Sequence, residues 1–82
     1  MTDGVRKRSI TLDGHRTSIS LEEPFWEALK DLARERGVSL HALVQAIDHG
    51  RDDPDVNLSG ALRVHVLRAL QTKLRSFEDH SR

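Results

Sequence analysis

The chain has 82 residues, 13 Lys or Arg against 13 Asp or Glu, no cysteine and a formal net charge of zero. So short a chain is one domain at most and buries only about 60% of the surface its unfolded form exposes; with no disulfide or thiolate metal site to compensate, self-association is what remains. Neutrality excludes a protein that coats nucleic acid by bulk attraction, and no apolar run approaches the roughly 20 residues of a membrane span.

Charge is distributed unevenly. Residues 1–20 carry four basic and two acidic side chains, residues 21–56 four and nine, and residues 57–82 five and two, so the chain reads basic, acidic, basic. The N-terminal stretch "MTDGVRKRSI" holds Arg6, Lys7 and Arg8 with no apolar core behind them. It does not read as a secretory leader, and a cytoplasmic location is expected.

The first structured piece is "RSITLDGHRTSISL". Ile10 and Leu12 alternate with Ser9 and Thr11, then Thr17, Ile19 and Leu21 alternate with Arg16, Ser18 and Ser20, the period of a half-buried strand. Asp13-Gly14 between the halves fits a two-residue hairpin turn, whose central positions both need positive φ. One long strand with a glycine bulge fits the same residues.

A helix follows in "EEPFWEALKDLARER". Pro24 suits a first turn, Glu22, Glu23 and Glu27 suit the positive end of the dipole, and Phe25, Ala28, Leu29, Leu32 and Ala33 form one apolar stripe. Phe25 and Trp26 read as core, with Trp26 near a third helix. Gly37 has the place of a left-handed C′ residue. Ser39 is a good N-cap for a second helix with Leu40, Leu43, Val44 and Ile47 on one face, closed by His49-Gly50.

"RDDPD" is a polar break. A third helix starts near Asn57, capped by Asn57 or Ser59, with Leu58, Leu62, Val66 and Ala69 on one stripe and Val64, Leu67, Leu70 and Leu74 on a second beside it. So wide an apolar arc exceeds what one neighbour hides, so this helix should touch two partners, one of them in another subunit. From Thr72 the tail is expected to fray.

The stretch "RTSISLEEPFWEALKDLARERGVSLHALVQAI", Arg16 to Ile47, resembles the ribbon-helix-helix domain of small bacterial repressors, of the Arc and MetJ type. The resemblance is carried by an alternating strand and the Gly37-Val38-Ser39 turn at the family's separation. "GHRTSISLE", "FW" and "NLSGALRVHVL" are similar to a subfamily with an extra C-terminal helix. The fold class implied is mainly α with a short β-ribbon: an intertwined dimer plus a third helix. Its parts would be a basic arm and first strand segment over 1–15, the ribbon-helix-helix core over 16–50, and the acidic break, third helix and tail over 51–82, all in a single domain.

The resemblance also implies function. Strands from two chains would pair as a ribbon that fits the major groove of double-stranded DNA, with Ile19, Leu21, Phe25, Leu29, Leu32, Leu43, Val44 and Ile47 in the dimer core. Arg16, Ser18 and Ser20 would then point outward to base edges, where Arg16 can bond guanine O6 and N7 bidentately. The family holds phosphates at the amino end of its second helix, here Ser39, Leu40 and His41. Arg6, Lys7 and Arg8 are further phosphate candidates.

The expected protein is a dimeric, sequence-specific transcriptional regulator, a repressor. The alternative is a protein-interaction module or antitoxin of the same fold whose segment 57–74 grips a partner protein; the two-striped third helix would equally allow dimers to pair into tetramers. Should "RSITLDGH" fold back over the ribbon face, it would obstruct the groove contact.

Nothing reads as an enzyme, because no catalytic set is placed by any motif and no glycine loop cradles phosphate. No cofactor or metal is expected either. His15, His41, His49, His65 and His80 lack a ligand context, and His49 with Asp52, Asp53 and Asp55 lacks the calcium-loop spacing.

Overall fold

The structure, a computed structural model, describes residues 4–51 and 57–80. Two strands, β1 (Val5–Leu12) and β2 (His15–Glu22), precede three helices, α1 (Glu23–Arg36), α2 (Leu40–His49) and α3 (Leu58–His80). The strands form one antiparallel pair with Leu12 opposite His15 and Val5 opposite Glu22.

The hairpin, not a continuous strand, is what Asp13-Gly14 encodes. Asp13 has φ 52° and Gly14 φ 81°, the two positive values that a primed two-residue turn demands. β1 therefore lies beside β2 in the plane of the sheet. It widens the ribbon face and does not cover it.

Alternation divides the sheet into two faces. Cross-strand neighbours share a face, so Leu12, Ile10, Thr17, Ile19 and Leu21 turn together toward the helices. Ile19 and Leu21 are 1% and 0% exposed, under the sheet and over Trp26, Leu29 and Val44, all at 0%.

Pro24 sits at the start of α1, where its missing N–H has no intrahelical partner to lose. Gly37 ends the helix at φ 69°, ψ 30°, and the amides of Gly37 and Val38 bond back to the carbonyls of Arg34 and Ala33. Ser39 then caps α2, its Oγ accepting from the Ala42 amide at 3.0 Å. Asn57 caps α3, its Oδ1 accepting from Ser59 N at 2.7 Å and its carbonyl from Ala61 N.

Trp26 is buried in the core and held by β1, its Nε1–H donating to the Arg6 carbonyl at 3.2 Å, while the ring of Phe25 lies 5.9 Å from the Arg63 guanidinium of α3. One expectation, about α3, changes. The helix does not fray at Thr72 but runs to His80. Gln71, Lys73, Leu74 and Arg75 are strong helix formers, and Lys73 is ion-paired with Glu35 of α1.

Only the first part of α3 joins the core, through Leu62 and Val66. Arg63 fixes it to the strand–helix junction, donating from Nε and Nη2 to the two Glu22 carboxylate oxygens at 3.0 and 3.3 Å. This fork holds the Glu22 carboxyl below its ordinary range.

Candidate nucleic-acid interface

The face of the hairpin that alternates with the core-facing residues carries four cross-strand pairs, Val5 with Glu22, Lys7 with Ser20, Ser9 with Ser18, and Thr11 with Arg16. Six of these side chains are exposed, and Ser20 and Glu22 are half-buried. The one acid among them, Glu22 at the open end, is bonded to Arg63 of α3, and the chain as a whole is neutral. The surface thus combines two cations with hydroxyls that can donate or accept, a composition suited to a polyanion with hydrogen-bonding edges.

Arg16, Ser18 and Ser20 all lie on this face. Lys7 joins them, whereas alternation carries Arg6 and Arg8 to the other side. Arg6 Nε is 3.1 Å from Glu23 Oε1, and the Arg8 guanidinium is 5.0 Å from the centre of the Trp26 ring, a cation–π contact. The basic triplet is split because strand neighbours cannot share a face.

Sequence reading did not single out Ser9 and Thr11, which join the site because β1 pairs with β2. The available signal was Asp13-Gly14, which settles the register once read as a turn.

The turn end of the hairpin is latched to α2. His41 Nε2 lies 2.6 Å from the Thr11 carbonyl and His49 Nε2 lies 2.7 Å from Asp13 Oδ2; both acceptors require the ring nitrogen to carry the proton. The Asp13 amide also donates to Gln45 Oε1 at 3.4 Å. His41, in the first turn of α2, is consequently held at the end of the hairpin that carries Thr11 and Arg16. With Ala42 N satisfied by Ser39 Oγ and Leu43 N by the Ser39 carbonyl, the amides of Leu40 and His41 precede the first intrahelical bond.

Asp13, Asp48 and His49 bring ligand-type atoms within 4.8 Å of one another, a group of a kind that can hold a metal. These atoms already have partners, Asp13 with His49 and Asp48 with Arg51 at 2.8 Å. The site of His49 with Asp52, Asp53 and Asp55 weighed from the sequence lies largely outside the described residues, as does the side chain of His80.

A second concave feature, an open cleft of about 720 Å³, lies between α2, α3 and the end of α1. Leu43, Ala46, Ile47 and Val64 line it, with Arg36, Arg68 and His65 among its polar residues. Arg36 Nη1 donates to His65 Nε2 at 3.1 Å, so that nitrogen is unprotonated. Burial and, second, the Arg36 charge push the His65 pKa below its ordinary value.

A short β-ribbon feeding two helices through a glycine turn, with a polar cationic outer face, defines a small module of mainly helical type; no described helix is long and apolar enough to cross a membrane. The family model described as "Ribbon-helix-helix domain" matches residues 5–70, most of the chain. The chain belongs to the ribbon-helix-helix family, whose domains are typically non-enzymatic, dimeric and DNA-binding and act generally as regulators or antitoxins. The third helix agrees with a subfamily extended at the C-terminus.

A solved structure of an uncharacterized protein from Bordetella pertussis Tohama I is similar at 28% identity and a TM-score of 0.77. The similarity covers 90% of this chain and 62% of that one, so this chain spans less than two thirds of its relative's length. No curated protein matches the chain.

Proposed function

We propose that the protein is a cytoplasmic, dimeric, sequence-specific DNA-binding regulator, a repressor, that reads base edges with the outer face of its hairpin. The observation that carries this reading is the polar, cationic row of Lys7, Ser9, Thr11, Arg16, Ser18 and Ser20, whose one acidic neighbour on that face, Glu22, is paired with Arg63, in a chain with equal numbers of acids and bases.

The two-residue turn closes on the bonded pair Leu12 and His15, so bonded pairs recur at every second residue. The backbone groups of Arg16, Ser18 and Ser20 therefore point to the other edge of β2, which has no strand partner among the described residues. That edge is a template for antiparallel pairing with β2 of a second copy. Pairing there places two rows of Arg16, Ser18 and Ser20 side by side.

Width then divides the labour. Strands lie about 4.8 Å apart, so the central pair enters a major groove of about 12 Å while the outer strands, about 14 Å apart, meet its walls. Arg16, Ser18 and Ser20 read bases; Lys7 and the α2 amino end at Ser39, Leu40 and His41 hold phosphates, whereas Arg6 and Arg8 are engaged with Glu23 and Trp26 on the other side. The cleft beside α2, lined by Leu43, Ala46 and Ile47, supports burial of this helix against the second copy. Ile19, Leu21, Phe25, Leu29, Leu32 and Val44 complete the core around it.

The test is binding to the DNA upstream of the protein's own gene, titrated with salt in the presence of random-sequence competitor. Tight binding that survives competitor and weakens with salt is expected. Weak binding without preference would refute the reading.

A further inference from the structure

α3 is apolar over a wide arc. Leu62, Val66 and Ala69 face the core, while Val64, Leu67, Leu70 and Leu74 remain between 47% and 60% exposed on the adjoining arc. A helix apolar over so wide an arc is ordinarily buried on two sides, and here the chain itself supplies one. Of the described surface, only Val5, Val38 and Phe77 add to these four as exposed large apolar residues, so the pattern is specific to this helix.

The spacing within the exposed arc is informative. Leu67, Leu70 and Leu74 are three and four residues apart and Phe77 continues the series, which are the a and d positions of a heptad. Lys73 and Glu78 then fall at g and e, where charges flank the seam of a helix pair and set its orientation. In a parallel, in-register pair Lys73 of each helix meets Glu78 of the other. In the antiparallel pair that matches Leu70 with Leu74, Lys73 would instead lie near its own copy. Lys73 and its Glu35 partner are each half exposed, so the ammonium also has reach toward the seam.

We propose that the distal half of α3 is a pairing surface for the same helix of a second copy, parallel and in register, through Leu67, Leu70 and Leu74. The pairing does not depend on the protein's binding DNA. It gives the third helix a role distinct from the ribbon, joining copies along α3.

Because the chain contains no cysteine, single substitutions report the geometry directly. The purified full-length Leu74→Cys variant is oxidised gently and run without reductant beside Thr72→Cys, whose side chain lies away from the seam. The expected result is a covalent dimer for Leu74→Cys at several times the rate of Thr72→Cys. In parallel, Leu70→Gln combined with Leu74→Gln should raise the concentration at which the assembly dissociates by tenfold or more in sedimentation equilibrium.

Failure of Leu74→Cys to cross-link would overturn the proposal. So would equal rates for the two variants, which mark random collision, or cross-linking only when Leu70→Cys and Leu74→Cys chains are mixed, which marks the antiparallel pair. Unchanged assembly of the double glutamine variant would overturn it as well, and would leave a foreign protein as the occupant of this stripe.

Discussion

The turn end of the hairpin and the distal half of α3 are opposites in how they meet the rest of the chain. The first is polar and tied down: Thr11 to His41, and Asp13 to both Gln45 and His49, are contacts across 30 residues or more. The second has leucines in open positions and is tied to α1 by Lys73 and Glu35. The contrast teaches that polarity and attachment are separate matters. A polar surface can be held rigid for recognition while an apolar one is left to another molecule.

One charge placed in each region tests the difference most severely. Ile19→Asp puts an unpaired carboxylate where the side chain is 1% exposed, and the several kcal/mol this costs is comparable with the whole stability of a small domain. Thermal melting followed by circular dichroism should show an unfolded chain. Leu74→Asp, on a side chain 60% exposed, should keep its fold and change only the state of assembly. A folded Ile19→Asp chain would reverse the assignment of the two strand faces.

A smaller effect comes from His65, where α3 meets the end of α1. Its folded pKa lies below the ordinary 6.5, so the unfolded chain binds the proton more readily. The stabilisation is complete above pH 6.5 and is lost as pH falls through that value toward the lowered folded one. Denaturation midpoints measured between about pH 7.5 and 5.5 should fall on the acid side, and His65→Gln should flatten that part of the profile. An unchanged slope in the variant would remove His65 as its source.

Much of this was legible in the chain itself, because the signals were local. The strand period through Thr17, Ile19 and Leu21, the left-handed Gly37, the Ser39 cap and the helical stripes each depend on residues a few positions apart, and the structure has them all. Asp13-Gly14 allowed a turn or a bulge; positive φ at both residues, with β1 paired to β2, decides for the turn.

The rest depended on separations no pattern encodes. Nothing near Arg63 announces Glu22, 41 residues earlier, and nothing near His49 announces Asp13. Trp26 reads as core, but a helical stripe gives burial and not the hydrogen-bond partner, here the Arg6 carbonyl of β1. The basic triplet likewise read as one patch until strand alternation divided it, Lys7 to one face and Arg6 and Arg8 to the other.

For a hairpin whose outer face is proposed to read DNA, Arg16 is the most exacting test. Affinity of Arg16→Ala for the upstream DNA should be measured against wild type at one salt concentration, with random-sequence DNA bound in parallel. The expected result is a loss of about 1 to 3 kcal/mol on the specific site and a much smaller loss on random DNA, with the fold intact. Equal affinity of the two proteins for the specific site would contradict it.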